Sequence, residues 1–383
     1  MPRFQVESDA FKRALNIVIL GTSDHADIID SHSLFIVGDD LKLKSTDKDR
    51  IAYTSIPVIK TEEYESFSFT ADPKKLIALI NSSDLDMISF EYDLDTKNLI
   101  VYASEDASSH LTFPSFDSSS FLDFDNDLSS AEDIKSINAG LLIAGIKFIQ
   151  GFLPNDEKDK KFSRLYISDG TLLGSNGSSK IGAFKSPDFD GLNDMIIRKG
   201  MLSYISQVAN RIPGNIKVKS TDKFIVFTSE DDTSGFGFLK TTDEQIKFPL
   251  SFEEPEADAI RIDRSVFMKR INRLALAGDN EMGIKASVGD NLELSTMTDR
   301  VSKEVMHLTR VKGTENFEFI FLYKMIKDAF SLFPSSEINL YIFHKECRMI
   351  IKDSGKLEIS DKGSEPVVKE FSAISVVGLA RAI

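Results

Sequence analysis

Residues 33–47 read SLFIVGDDLKLKSTD: an alternating apolar run, a Gly/Asp turn, then a second alternating run. That pattern specifies a β-hairpin. The chain repeats it as RLYISDGTLLGSNGS at 164–178 and as GIKASVGDNLELSTM at 283–297. A segment with apolar residues at three- and four-residue spacing precedes each hairpin, at 9–20, 138–152 and 263–277. In the third, Val266, Phe267, Ile271, Leu274 and Ala275 form one stripe, while Lys269, Arg270 and Arg273 lie off it. This is the signature of an amphipathic helix. A second helix is expected after each hairpin, at 73–81, 199–211 and 322–333. Asp72 stands where an N-cap belongs, with Pro73 at the first helical position. Pro213 and Pro334 end the other two. Each second helix leads into a strand pair: 87–92 with 99–104, 216–220 with 224–229, and 338–343 with 348–353.

The spacing is regular. Leu34 to Leu165 is 131 residues and Leu165 to Ile284 is 119. The fold class is therefore α+β: three tandem repeats, each two helices packed on antiparallel sheet. Domains are expected at 1–125, 131–252 and 258–383. The stretches DFDNDLSSAED (123–133) and FEEPEADA (252–259) read as acidic linkers between them.

Composition narrows the function. The chain has 383 residues, a net charge of −14 and 29 Phe, enough apolar material for several cores. A single cysteine, Cys347, excludes a disulfide framework and a cysteine metal site, and fits a reducing compartment. The N-terminal MPRFQVESDAFKRAL lacks a signal peptide's apolar region, and no apolar run reaches membrane-spanning length. A cytoplasmic protein is expected. The six helical segments with their entry residues carry 14 basic and four acidic residues, a net +10, which leaves −24 on the rest. An acidic protein with basic helices can hold a phosphate backbone on one surface and repel it elsewhere, without reading sequence.

Motifs for catalysis are absent. There is no G-x-x-x-x-G-K-[ST] loop. Gly235 and Gly237 begin a G-x-G, but Lys240 replaces the third glycine. His25, His32, His110, His307 and His344 have no paired-ligand spacing. Cys347 is expected in a strand, as a packing or surface thiol. Asp123, Asp125 and Asp127 alternate as in a calcium loop, but Leu128 stands where that loop needs glycine. No enzyme activity, cofactor or metal is expected.

Four stretches resemble a known family: DLKLKSTDKDRIAYTSIPV (40–58), LTFPSFDSSSF (111–121), IIRKGMLSYISQV (196–208) and FTSEDDTSGFGFLKTTDEQIKFP (227–249). In their order the chain resembles the bacterial-type beta sliding clamp, the DNA polymerase III beta subunit family. The resemblance implies a six-domain ring of two head-to-tail subunits, with sheets outside and helices lining a hole for duplex DNA. The implied DNA-facing residues are Lys12, Arg13, Lys74, Lys75, Lys147, Arg198, Lys199, Arg211, Lys269, Arg270, Arg273, Lys324 and Lys327. It implies DNA polymerase and a clamp loader as partners, and a homodimer. It also implies a pocket for partner peptides, carried over to Phe162, Lys180, Ile181, Pro249, Phe252, Val377, Leu379 and Ile383.

The chain departs from the family at three places. Its tail reads Gly-Leu-Ala-Arg-Ala-Ile where the family has Met-Pro-Met-Arg-Leu. The turn that contains Asp-Gly-His-Arg in the family is Gly177-Ser178-Ser179-Lys180. The apolar subunit edge is Ser108-Ser109-His110. Such divergence suits a phage or mobile-element clamp. The alternative reading is a monomeric clamp-like recruitment protein that does not encircle DNA. A metal-dependent nuclease is a third, weaker one.

Overall fold

A computed structural model describes residues 1–379 except 24–28, 62, 103, 105–107, 157–159, 213, 249, 279–281, 298–300, 314 and 361–365. Seven α-helices are described: α1 Ser8–Val18, α2 Pro73–Asn81, α3 Asp125–Ser129, α4 Ala139–Gln150, α5 Lys199–Ala209, α6 Arg264–Ala275 and α7 Tyr323–Phe330. Six match the expected helices to within three residues at each end. The cap at α2 is the expected one: Asp72 accepts from the amides of Lys74 at 2.9 Å and Lys75 at 3.4 Å. None of the described helices is long and apolar enough to cross a membrane.

All three hairpins form. Leu34 pairs with Lys44, Tyr166 with Leu173, and Ile284 with Thr296. The middle one turns on Asp169 and Gly170, whose φ values of 48° and 67° are those of the primed two-residue turn that Asp-Gly favours.

The chain divides into two compact units, 1–139 with 203–241, and 140–202 with 242–383. In the first, a five-stranded antiparallel sheet runs Ile59–Lys60, Arg3–Glu7, Met87–Asp93, Asn98–Tyr102, His110–Pro114. An eight-stranded sheet joins two repeats: strand Ser234–Leu239 pairs with strand Arg50–Pro57, Phe236 opposite Ala52. α1 and α2 pack side by side over a core rich in phenylalanine. Phe4 stacks on Phe90 and Phe35 on Phe69, each with centroids 4.9 Å apart.

In the second unit a nine-stranded sheet joins repeats in the same way. Strand Lys180–Lys185 pairs with strand Val367–Gly378, Ala183 opposite Ile374. A four-stranded sheet runs Lys303–His307, Asn291–Thr296, Gly283–Val288, Phe317–Leu322. The strand expected at 348–353 pairs with Glu337–Phe343 but runs on to Ile359, and Arg348–Ile359 pairs with Val367–Gly378 along its full length.

Two local expectations are corrected. The 123–133 linker is not bare coil, since α3 forms within it and Glu132 already belongs to a strand. Its aspartates are engaged: Asp125 pairs with Lys44, and Asp127 lies 3.2 Å from Lys223. Among the described residues no carboxylate, histidine or cysteine cluster is fit to hold a metal ion. Cys347 sits in the turn between strands Glu337–Phe343 and Arg348–Ile359, at φ 48°, not in a strand.

Two consequences can be measured. A methyl group on Gly21, just after α1, would lie 2.8 Å from the Ser45 carbonyl and 2.9 Å from the Ala52 amide nitrogen. Gly21→Ala should therefore lower unfolding free energy by about 1–3 kcal/mol in denaturant titration, the range for overpacking. Asp353 is buried, and burial pushes its carboxyl above the ordinary carboxylate range. Its folded-state value thus exceeds the unfolded one. Its contribution to stability is greatest below the unfolded value, near 4, and is lost as pH rises through the folded value. Melting curves from pH 4 to pH 8 should contain a decline that Asp353→Asn abolishes.

Candidate nucleic-acid interface

Each first helix buries one face and turns its basic residues away from it, because the apolar stripe fixes its rotation. On α1, Phe11, Ala14, Leu15 and Val18 are buried, Arg13 is exposed and Lys12 is half-buried. Lys74 and Lys75 are exposed on α2, where Lys75 lies 3.8 Å from its own cap, Asp72. On α4, Lys147 is exposed. On α6, Phe267, Ile271 and Leu274 are buried beneath exposed Lys269 and Arg273 and half-buried Arg270. Lys324 and Lys327 are exposed on α7, with the Lys327 ammonium over the Tyr323 ring. Among the described residues, Lys12, Lys147, Lys269 and Lys324 have no carboxylate within 4.0 Å.

Five basic residues stand differently from the sequence expectation. Arg198 is exposed but ends strand Met195–Arg198, one residue before α5. Lys199 opens α5 and donates from Nζ to the carbonyls of Pro154 at 2.6 Å and Asn155 at 3.5 Å. Arg211 lies beyond α5 and donates to the Gln207 carbonyl at 3.2 Å, and burial pushes its guanidinium down. Arg270 and Arg273 share Glu304, at 2.6 and 3.7 Å. Sequence patterning gave no sign of Glu304, which lies 34 residues from Arg270 and on another element.

The residues proposed for a docking pocket lie around the joint in the nine-stranded sheet. Phe162 packs against the turn at Gly177, whose φ of 80° keeps the backbone close to the ring. Lys180 and Ile181 open the joint strand opposite Val377 and Val376. The Lys180 ammonium reaches Asp328 at 3.1 Å. Phe252 is half-buried and joins Tyr341, Ile350 and Val376 in an apolar cluster. It also lines a cavity of about 340 Å³ with Tyr341, Asn339 and Lys352. Leu379 is half-buried, and its amide donates to the Cys347 carbonyl at 2.7 Å. Val377 is fully buried, so its side chain belongs to the core and offers no docking surface. By strand alternation its neighbour Val376 lies on the opposite face and is half-buried. Pro249 and Ile383 lie outside the described residues.

By sequence the chain matches no family model and no curated protein. By structure it matches a DNA polymerase sliding clamp from Caulobacter crescentus at 14% identity and a TM-score of 0.77, over 100% of both chains. A DNA polymerase sliding clamp from Bacillus subtilis matches at 14% identity and 0.76, again over 100% of both. The beta subunit from DNA polymerase of Streptococcus pyogenes matches at 14% and 0.76, over 99% of this chain and 100% of that one. The chain has the sliding-clamp fold.

The exposed lysines are candidates for phosphate contacts, which position a duplex without reading its sequence. Replacing Lys147, Lys269 and Lys324 by alanine should weaken duplex binding equally for unrelated sequences. The slope of log affinity against log salt should flatten by about 0.9 for each lysine that had neutralised a phosphate. Fluorescence anisotropy over a salt series measures both.

Proposed function

We propose that two copies of this chain close head to tail into a ring that encircles duplex DNA, as a sliding clamp and processivity factor for a DNA polymerase. Each copy contributes three domains, 1–125, 131–252 and 258–383, and performs no catalysis. A clamp loader opens the ring. Polymerase and other partners dock peptides around Phe162, Ile181, Phe252, Val376 and Leu379.

One observation carries this reading. Both joints within the chain follow one rule. The strand after the second hairpin of one repeat pairs with the third strand of the repeat before it: Ser234–Leu239 on Arg50–Pro57, and Val367–Gly378 on Lys180–Lys185. The rule leaves two strands over, His110–Pro114 and Lys303–His307. Each is the last strand of its sheet among the described residues. An open edge offers unpaired backbone groups, and the next copy's matching edge satisfies them. Three apolar side chains support the same joint: Leu111 and Val305, on the two edges, are 48% and 50% exposed, and Leu276, just past α6, is 88% exposed.

Ser108, Ser109 and His110 are exposed and polar, and they favour a second reading: a monomeric clamp-like recruitment protein. Light scattering separates the two, since a stable monomer of 42.7 kDa at micromolar concentration contradicts a self-closing ring. Leu276→Asp should weaken dimerisation at least about tenfold, the loss expected for one buried leucine. Loaded protein should remain on circular DNA and leave linear DNA through its free ends. Equal retention on both sinks the encircling reading.

A further inference from the structure

The densest group of basic residues in the first helices is on α6, and it is not left at full charge. The Glu304 carboxylate accepts from Arg270 Nη1 at 2.6 Å, and its second oxygen lies 3.7 Å from Arg273 Nη1. Only 17% of the Glu304 side chain is exposed, against 33% for Arg270 and 61% for Arg273. One carboxylate thus bridges two guanidinium groups a helical turn apart. The trio carries a net charge of one instead of two.

Register shows what is particular here. Leu43 pairs with Thr54, Gly174 with Gly182 and Leu294 with Glu304, so these three partners hold one position in the three repeats. In the first two repeats that position is neutral and lies in a joint, Thr54 opposite Ser234 and Gly182 opposite Ser375. In the third it is charged and lies on the open edge strand. The other first helices carry fewer cations. Arg13 on α1 meets Glu7 only at 4.0 Å, with both largely exposed, and Lys147 on α4 has no carboxylate within 4.0 Å among the described residues.

We propose that Glu304 is a positioning residue that limits the grip of the third repeat on DNA phosphates. The inference rests on the DNA-encircling reading above. Glu304 holds Arg270 and Arg273 in a fixed arrangement and makes any phosphate compete with a carboxylate for them. A phosphate interaction that is strong and local must break at each step along the duplex. A half-neutralised pair retains attraction and lowers that barrier.

The test uses the full-length chain, a short labelled duplex and anisotropy over a salt series. Glu304→Gln keeps the shape and removes the charge. It should bind about two- to fivefold tighter at low salt, the worth of one exposed ion pair. Its salt slope should steepen by about 0.9. The double variant Arg270→Gln with Glu304→Gln restores the net charge and should return the slope to that of the parent. An unchanged or weaker affinity for Glu304→Gln overturns the proposal, because a purely structural ion pair would not steepen the slope. Lys147→Ala and Lys324→Ala serve as the control for the underlying reading. If they weaken binding while Glu304→Gln leaves the slope unchanged, only the role of Glu304 falls. If neither weakens binding, the DNA-encircling reading falls with it.

Discussion

Backbone hydrogen bonding across repeats is the constraint on which this molecule turns. A repeat of this kind ends its sheets in open edges, and an open edge is a row of unpaired donors and acceptors. The chain covers four such edges internally, by pairing Ser234–Leu239 with Arg50–Pro57 and Val367–Gly378 with Lys180–Lys185. Main-chain bonds are indifferent to side-chain identity. The joint can thus persist while sequence drifts, which is how a chain with 14% identity to solved clamps keeps a TM-score of 0.77 over its full length. Side chains then adapt to each joint separately: Phe236 and Phe238 fill one, Ala183 and Ile374 the other.

Charge is organised by the same geometry. Sheet packing fixes the buried stripe of each helix, and the stripe decides where every lysine points. A net charge of −14 therefore coexists with exposed lysines on α2, α4, α6 and α7. Carboxylates then set how much of that charge is available. Asp72 caps α2 and lies near Lys75, while Glu304 pairs with Arg270 and Arg273, two of the three arginines of α6.

The repeat architecture was legible because its signals are local. Period-two alternation and Gly/Asp turns wrote the hairpins, and three- and four-residue spacing wrote the helices. Pro213 and Pro334 marked the region of two helix ends, though α5 and α7 each stop three residues short of the residue before the proline. What escaped depends on pairing at long range. The parity that buries Val377 and leaves Val376 half-buried follows from register with a strand nearly 200 residues away, Lys180–Lys185. Resemblance could name the segment but not the face. Arg198, counted with the helix as its entry residue, belongs to a strand because strand Met195–Arg198 and α5 meet there without a linker. The α3 turn hid in a composition typical of coil, because a helix of five residues is too short for apolar periodicity to announce. Glu304 could be found only by aligning the hairpins and asking which residue lacks a counterpart.

The polar stretch Ser108–His110 gains meaning from this division between main chain and side chain. In the two internal joints, backbone pairing and apolar burial act together, and both lie within one covalent chain that need never separate them. A joint between copies in the proposed ring would be different, since a ring that admits DNA has to open somewhere. Backbone bonds hold the register of such a joint with little help from burial, because each exchanges a water partner for a protein one and nets only about 0.5–1.5 kcal/mol. Exposed serines beside Leu111 reduce the apolar area that opening would return to water, and so reduce its cost. In the proposed ring, the edge that would join two chains is thereby the place where the sequence least resists opening.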